Sequence, residues 1–443
     1  VLKTRLRSKH SASAQRPVTG IEYEQGGFVI RKSIVYWVVG IGVSACAPGA
    51  LATAYGQTAE FVYVETNLKP ANSIRAFERA ANGELHEIAG SPFATGGSGS
   101  GYNGVGLGPE DSDQEIVTNA DQSMLFAINA GSDSIAVFRT GRDGSLAPVA
   151  GSPFPSGGND PVSLDVAGNL LFVANKSGDP SRPTTILPNY TTLVIGENGS
   201  LKIENDKTND TSRRFDSTIS VATGGSPEQV HAIQGTDLVF GNDFLANLLE
   251  HFQSDWIGGI HQLAPLALPA SLFSDTVTPR IPQGMWNHPV LPYLYVGVPL
   301  VNKLAVYSFD GFGNLTFIHA VPNQGSTICW LRTNRWGSRL YSTETGSNSV
   351  GVYDLSDPEN PVQLQEFKLS GVGNAFQLSL SSEGHSLYVL SPRGSASIPA
   401  GQGNVLHSLT IGDDGLLSET LATIPFNSPT NVRPRGIAVV SGR

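Results

Sequence analysis

One strand phrase recurs along this chain, and its recurrence decides what the chain can fold into. "FVYVETN" at 61–67 is echoed by "LFAINAG" from Leu125, "LFVANKS" from Leu171, "LVFGNDF" from Leu238, "LYVGVPL" from Leu294, "LYSTETG" from Leu340 and "LYVLSPR" from Leu387. Each is a short apolar run passing into a polar or Gly/Pro-bearing stretch, the pattern of a buried strand entering a loop. A second alternating strand follows every time: "SIRAFER", "SIAVFRT", "TTLVIGE", "LLEHFQS", "KLAVYSF", "SVGVYDL", "VLHSLTI". Six units then reach a turn pair (Asn82-Gly83, Asp143-Gly144, Asn198-Gly199, Gly258-Gly259, Gly313-Asn314, Asp414-Gly415), and the sixth unit along the chain has "DLSDPENP" instead. Such pairs supply the positive φ that tight hairpins demand.

A third strand ("LHEIAG", "LAPVAG", "LTFIHAV", "VQLQEFKL") and a fourth ("PVSLDVA", "PEQVHAI", "AFQLSLS", "RGIAVVS") complete the unit. Four strands repeated seven times predict an all-β, seven-bladed β-propeller of four-stranded antiparallel blades. The first unit lacks an inner strand and the chain ends on a spare one at 433–440. The C-terminal strand is therefore expected to close the ring and seal two sheet edges. The phrase Ala89-Gly90-Ser91-Pro92-Phe93 returns as Ala150-Gly151-Ser152-Pro153-Phe154, each followed by a glycine pair. It is expected to leave an outer strand and cross to the next blade. The 50 Gly, 28 Pro and 15% charged residues agree with many short strands and tight turns.

Two domains are expected: a leader over 1–54 and the propeller over 55–443. Arg31 and Lys32 precede an apolar run at 34–43 and then small residues, too short a run to span a bilayer and suited to a cleaved export signal. Cleavage after Ala52 or Ala54 fits. "VSAC" at 43–46 also resembles a lipoprotein box that would lipidate Cys46, and Val29 or Val1 would serve as a non-ATG start. The protein is thus expected to be exported, periplasmic or extracellular, soluble or anchored through Cys46, and monomeric. Seven of the 28 Lys and Arg but only two of the 38 Asp and Glu lie in the first 54 residues, so the remainder carries −15. That charge opposes binding to a phosphate backbone, so no nucleic-acid partner is expected. Only Cys46 and Cys329 are present, so no disulfide framework holds the fold.

The units "LYVGVPLVNKLAVYSFDGFGNLTFI" and "LFAINAGSDSIAVFRTGRDGSLAPV" resemble the lactonase family of seven-bladed propellers with YVTN-like repeats, which includes 6-phosphogluconolactonases and carboxymuconate lactonising enzymes. The likeness runs over 61–440 and implies lactone hydrolysis. That family's Pro-Arg-His stretch appears here as Pro282-Gln283-Gly284, with Met285, His288 and Pro289 kept and Val298 near the expected Glu. Pro227 is followed by Glu228 and Gln229, whereas Pro434-Arg435-Gly436 matches.

Lactone opening needs a cation or donor for the developing oxyanion and a base for water. Arg435 is the candidate for the first role and His231 or Glu228 for the second. Asp160, Arg280, Gln283, Asn374 and Arg433 stand just before inner strands and are expected to line a central funnel that takes a polar small molecule or lactone. Nine scattered histidines carry no metal-ligand spacing, and neither a GxSxG elbow nor a phosphate loop appears. No metal and no cofactor are expected. "PEDSDQE" at 109–115 reads as a solvated acidic loop. Two functions stay open: a lactone hydrolase, or a non-catalytic propeller that binds a small ligand or a protein partner.

Overall fold

The computed structural model describes residues 59–102, 111–204, 215–395, 397–399, 401–427 and 432–442. Residues 1–54, where a leader is expected, lie outside them together with Cys46, as do parts of the insertions at 98–113 and 205–215. Gly56–Arg443 gathers into one compact unit.

That unit is a ring of seven antiparallel sheets. The C-terminal strand Arg435–Ser441 is the innermost strand of blade 1 and pairs with Glu60–Glu65, Phe61 opposite Val440 and Val64 opposite Ile437. Inner strands of blades 2 to 7 are Ile116–Thr118, Pro161–Ala167, Pro227–Ala232, Met285–Asn287, Ile328–Thr333 and Leu378–Leu380. One glycine in each of the six turn pairs has φ between +76° and +118°, a conformation that favours glycine.

Side chains alternate between the two faces of a strand, and in a propeller both faces are covered by neighbouring blades. In Met124–Asn129, Phe126 and Ile128 pack with Leu171 and Val173 of blade 3, whereas Leu125 and Ala127 pack with Phe61 and Tyr63 of blade 1. The same wedge of apolar side chains fills each of the other five interfaces. Tyrosine hydroxyls tie blades together by donating to the next blade's turn, as Tyr63 does to Gly144 O (2.8 Å) and Tyr341 to Gly415 O (3.0 Å).

The repeated Ala-Gly-Ser-Pro-Phe phrase does not leave the blade. It interrupts the outer edge, which then resumes: Leu85–Glu87 and Phe93–Ala94 both pair with Ser73–Arg79. Where the edge is interrupted, the serine before the proline supplies the acceptor that the ladder N–H needs, Ala76 N donating to Ser91 Oγ at 3.0 Å and Val137 N to Ser152 Oγ at 2.9 Å. Only the glycine pair crosses to the next blade. A Cβ on Gly97 would meet Asn129 Cγ at 2.5 Å, and one on Gly158 would meet Asn175 Cβ at 2.6 Å. Five blades have this split edge, whereas blades 5 and 6 keep single outer strands, Leu315–Pro322 and Val362–Lys368.

The acidic stretch is a second correction. Asp111, Ser112, Asp113, Gln114 and Glu115 are all buried, none more than 5% exposed. Asp113 accepts both ends of the Arg332 guanidinium (2.5 and 3.1 Å), and Glu115 accepts from the Gln377 amide (2.6 Å). Gln229 donates to Gln114 Oε1 (2.8 Å), and Leu164 N donates to Gln114 O (3.0 Å). These partners come from the inner strands of blades 6, 4 and 3 and, for Gln377, from the residue just before that of blade 7. The segment therefore occupies the hub of the ring, where the Asp113 and Glu115 carboxylates are met by guanidinium and amide groups.

Candidate functional site

A cavity of about 680 Å³ opens between blades 3 and 4 at the mouth where the inner strands begin. Its floor is Asp111, Lys176 and Glu228. Lys176 follows the second strand of blade 3, Leu170–Asn175, and Glu228 starts the inner strand of blade 4. Asp111 stands at the head of the hub segment. The ring alone brings them together, since 52 residues separate Lys176 from Glu228 and 65 separate Asp111 from Lys176.

The Lys176 ammonium donates to Glu228 Oε1 and to the Asp111 backbone carbonyl, both at 3.1 Å. Two of its three donors are thus used. The Gln283 amide donates to the other Glu228 oxygen at 2.9 Å. Neither side-chain oxygen of Asp111 has a hydrogen-bond partner among the described residues, although the residue is only 2% exposed. Burial lifts the Asp111 carboxyl to about 6, against the pull of Lys176 and Arg433. Burial likewise holds Glu228 well above the ordinary carboxyl range, with Lys176 opposing and Asp111 reinforcing. A carboxyl that titrates near neutrality beside an ammonium, in a cavity, is equipped to exchange protons with a bound molecule.

Of the residues expected from sequence, Glu228 lines this cavity and Gln283 touches Glu228. Asp160 lies beside the rim and accepts from Gly178 N (3.1 Å). Arg433 is buried with its guanidinium 5.0 Å from the Tyr102 ring centre. Asn374 holds Thr345 O (2.9 Å) and Gly394 N (3.1 Å) in loops of blades 6 and 7. Arg280 sits over the Phe273 ring at 5.7 Å. Arg435 is in the hub, its Nε 3.9 Å from Glu115 and its Nη2 donating to Pro161 O (3.4 Å).

His231 is at the other end of the blade 4 inner strand. It lines a separate cavity of about 450 Å³ with Asp165, Trp286 and Asn287. Its Nδ1 is 3.0 Å from Asp165 Oδ2 and its Nε2 is 2.8 Å from Asn287 Oδ1, and the ring stacks on Trp286 at 4.2 Å. Arg435, His231 and Glu228 therefore do not converge. Lys176 and Asp111 were missed. An arginine inside the apolar inner strand "ICWLRT" signals that a carboxylate must come from elsewhere, and Asp113 of "DSDQE" supplies it; no comparable mark points to Lys176 or Asp111.

Among the described residues no three His, Cys, Asp or Glu side chains are placed to hold a metal ion. No family model and no curated protein matches the sequence. Solved structures do share the fold. The periplasmic gluconolactonase of Pseudomonas aeruginosa superposes with a TM-score of 0.63 over 87% of this chain and 100% of its own, at 14% identity. A Bacteroides uniformis protein provisionally named a 6-phosphogluconolactonase gives 0.62 over 87% and 99%, also at 14%. A hypothetical selenium-binding protein of Sulfolobus tokodaii gives 0.57 over 86% and 93% at 10% identity. The chain has the seven-bladed fold of lactonase-like propellers. That fold hosts more than one named function among these neighbours, so the site must carry the argument for chemistry.

Proposed function

We propose that this protein is an exported hydrolase of cyclic esters acting in the cavity between blades 3 and 4. The observation that carries the reading is the buried Asp111 carboxyl, which has no hydrogen-bond partner among the described residues, beside the Lys176 ammonium on the floor of that cavity. Asp111 takes a proton from water as the water oxygen attacks the lactone carbonyl carbon. The carbonyl electron pair moves onto oxygen and is met by the remaining Lys176 donor. Collapse breaks the ring C–O bond, and Asp111 returns its proton to the departing alkoxide. Lactone and water thus become a hydroxy acid. Glu228, held by Gln283, aims the ammonium and is a positioning residue.

Two further facts support the reading: the neighbours named for gluconolactone chemistry share this fold, and one of them is periplasmic by name. Export rests on Arg31, Lys32 and the apolar run at 34–43. The second reading, a binding propeller without turnover, is favoured by one observation: Glu228 already meets the Lys176 charge. A panel of lactones followed by proton release at constant pH separates the two. Hydrolysis should fall as pH drops through about 6, where Asp111 takes up its proton. Ligand binding with no turnover at any pH leaves the binding propeller. Sequencing the mature N-terminus tests export, with Thr53, Tyr55 or lipidated Cys46 expected and an intact leader overturning it.

A further inference from the structure

The wall of the same cavity carries information that its floor does not. The strap at 177–188 joins the second and third strands of blade 3, where blade 2 needs only a turn between Asn129 and Ser134. It is pinned by Arg182, whose Nε donates to Asp179 (2.9 Å), Nη1 to Asp133 (2.9 Å) and Nη2 to Ala130 O (2.5 Å). Asp133 also accepts from Asn159 and from Asp160 N, both at 2.8 Å, and Thr184 donates to Asn159 at 2.9 Å. The strap is thus fastened to blade 2 and to the start of blade 3.

Beyond the pin it presents Ile186, 51% exposed, and Leu187, 39% exposed, to the cavity. Leu245, 61% exposed, and half-buried Phe244 line it from blade 4. Large apolar side chains fixed in water by a polar clamp cost free energy unless a ligand covers them. The floor meanwhile sets two carboxyls against one ammonium among the described lining residues. Above about pH 6 that lining is never net positive, whichever protonation state Glu228 adopts. Among these described lining residues a phosphate or carboxylate would meet no excess of positive charge.

Resting on the cyclic-ester reading, we infer that the preferred substrate is an uncharged lactone with an apolar arm. Its ring lies over Asp111 and Lys176, its arm lies between Ile186, Leu187 and Leu245, and Arg182 is the positioning residue for that wall. This differs from the polar, carboxylated ligand that the sequence suggested. The test uses γ-alkyl butyrolactams from methyl to hexyl, which mimic the ring and resist hydrolysis, with calorimetric binding to the wild-type protein. Affinity should rise about three- to fourfold per added methylene, and a phosphorylated sugar lactone should bind more weakly than any of them. Ile186→Ser and Leu245→Ser should flatten the chain-length slope. Arg182→Gln should weaken the hexyl lactam by a larger factor than the methyl one, a split that general loosening of the fold would not produce. A flat slope in the wild type, or tighter binding of the phosphorylated lactone, overturns the inference. A steep slope with no lactone turned over keeps the wall as a site for an uncharged ligand with an apolar arm, but removes the hydrolase reading and with it the claim that this ligand is a substrate. Turnover without chain-length preference does the reverse.

Discussion

At one mouth of the ring Asp111 and Lys176 face a cavity of about 680 Å³, and at the other Asp165 and His231 face one of about 450 Å³. Both floors pair a carboxyl with a basic side chain, and both lie between neighbouring blades. They differ in how far the protein answers its own polar groups. Asp165 accepts from Ala232 N (2.9 Å), Val166 N (2.8 Å) and His231, whose other nitrogen is met by Asn287. Asp111 accepts nothing among the described residues and titrates at about 6. A closed network is what stability selects, whereas a carboxyl left open at the bottom of a cavity is a cost carried for another reason.

Three measurements would sharpen or break this contrast. The largest effect is expected from Asp111→Asn, which should lower kcat by about 10²–10⁴-fold. At pH 8 the same change should raise stability by about 2 kcal/mol, because it removes a carboxylate whose burial is unfavourable. Denaturant unfolding alongside the activity assay reads both, and lost stability would erase the distinction between the two mouths. Next comes His231→Ala, which removes one of the three partners of Asp165 and the partner of Asn287 Oδ1 and should cost about 1–3 kcal/mol in the same unfolding experiment. A neutral result would mean that the second mouth is not closed after all.

The smallest effect is on pH dependence. Burial lifts Asp111 to about 6 and Glu115 and Glu344 to about 7, each above its unfolded value. The folded state therefore holds more protons than the unfolded one between about pH 4 and 7, and stability is lost as pH rises through that window. Glu419, held low by its hydrogen bonds to His407 and Ser370 against the opposing effect of burial, loses its contribution only on acidification below its ordinary range. Unfolding midpoints should accordingly be higher at pH 5.5 than at pH 8, and the difference should shrink in Asp111→Asn.

The architecture was legible because each of its determinants is local. Strand alternation, the positive-φ pairs and the missing first inner strand are all read within a few residues, and ring closure follows from counting. The split outer edge was misread because Ser-Pro normally ends a ladder, and only the structure shows Ser91 and Ser152 standing in for the lost partner. The floor of the cavity was illegible for a different reason. Asp111, Lys176 and Glu228 share no spacing, and an acidic pentamer such as "DSDQE" is ordinarily solvated. Glu228 was found because it stands beside a proline at a strand start, a local mark that Lys176 lacks.

The hub has a kinetic consequence. Asp113 meets Arg332 across 219 residues, and Gln377 reaches Ser112 across 265. Contacts of such sequence separation close large loops before they return any stabilisation, which places this chain among slow folders. Early blades cannot settle around the buried carboxylates until the sixth and seventh deliver the guanidinium and amide that match them. The terminal strand then joins residues 61 and 440. A partly made chain therefore has little to gain from ordering its centre, and the ring should assemble late, in one cooperative step, rather than blade by blade.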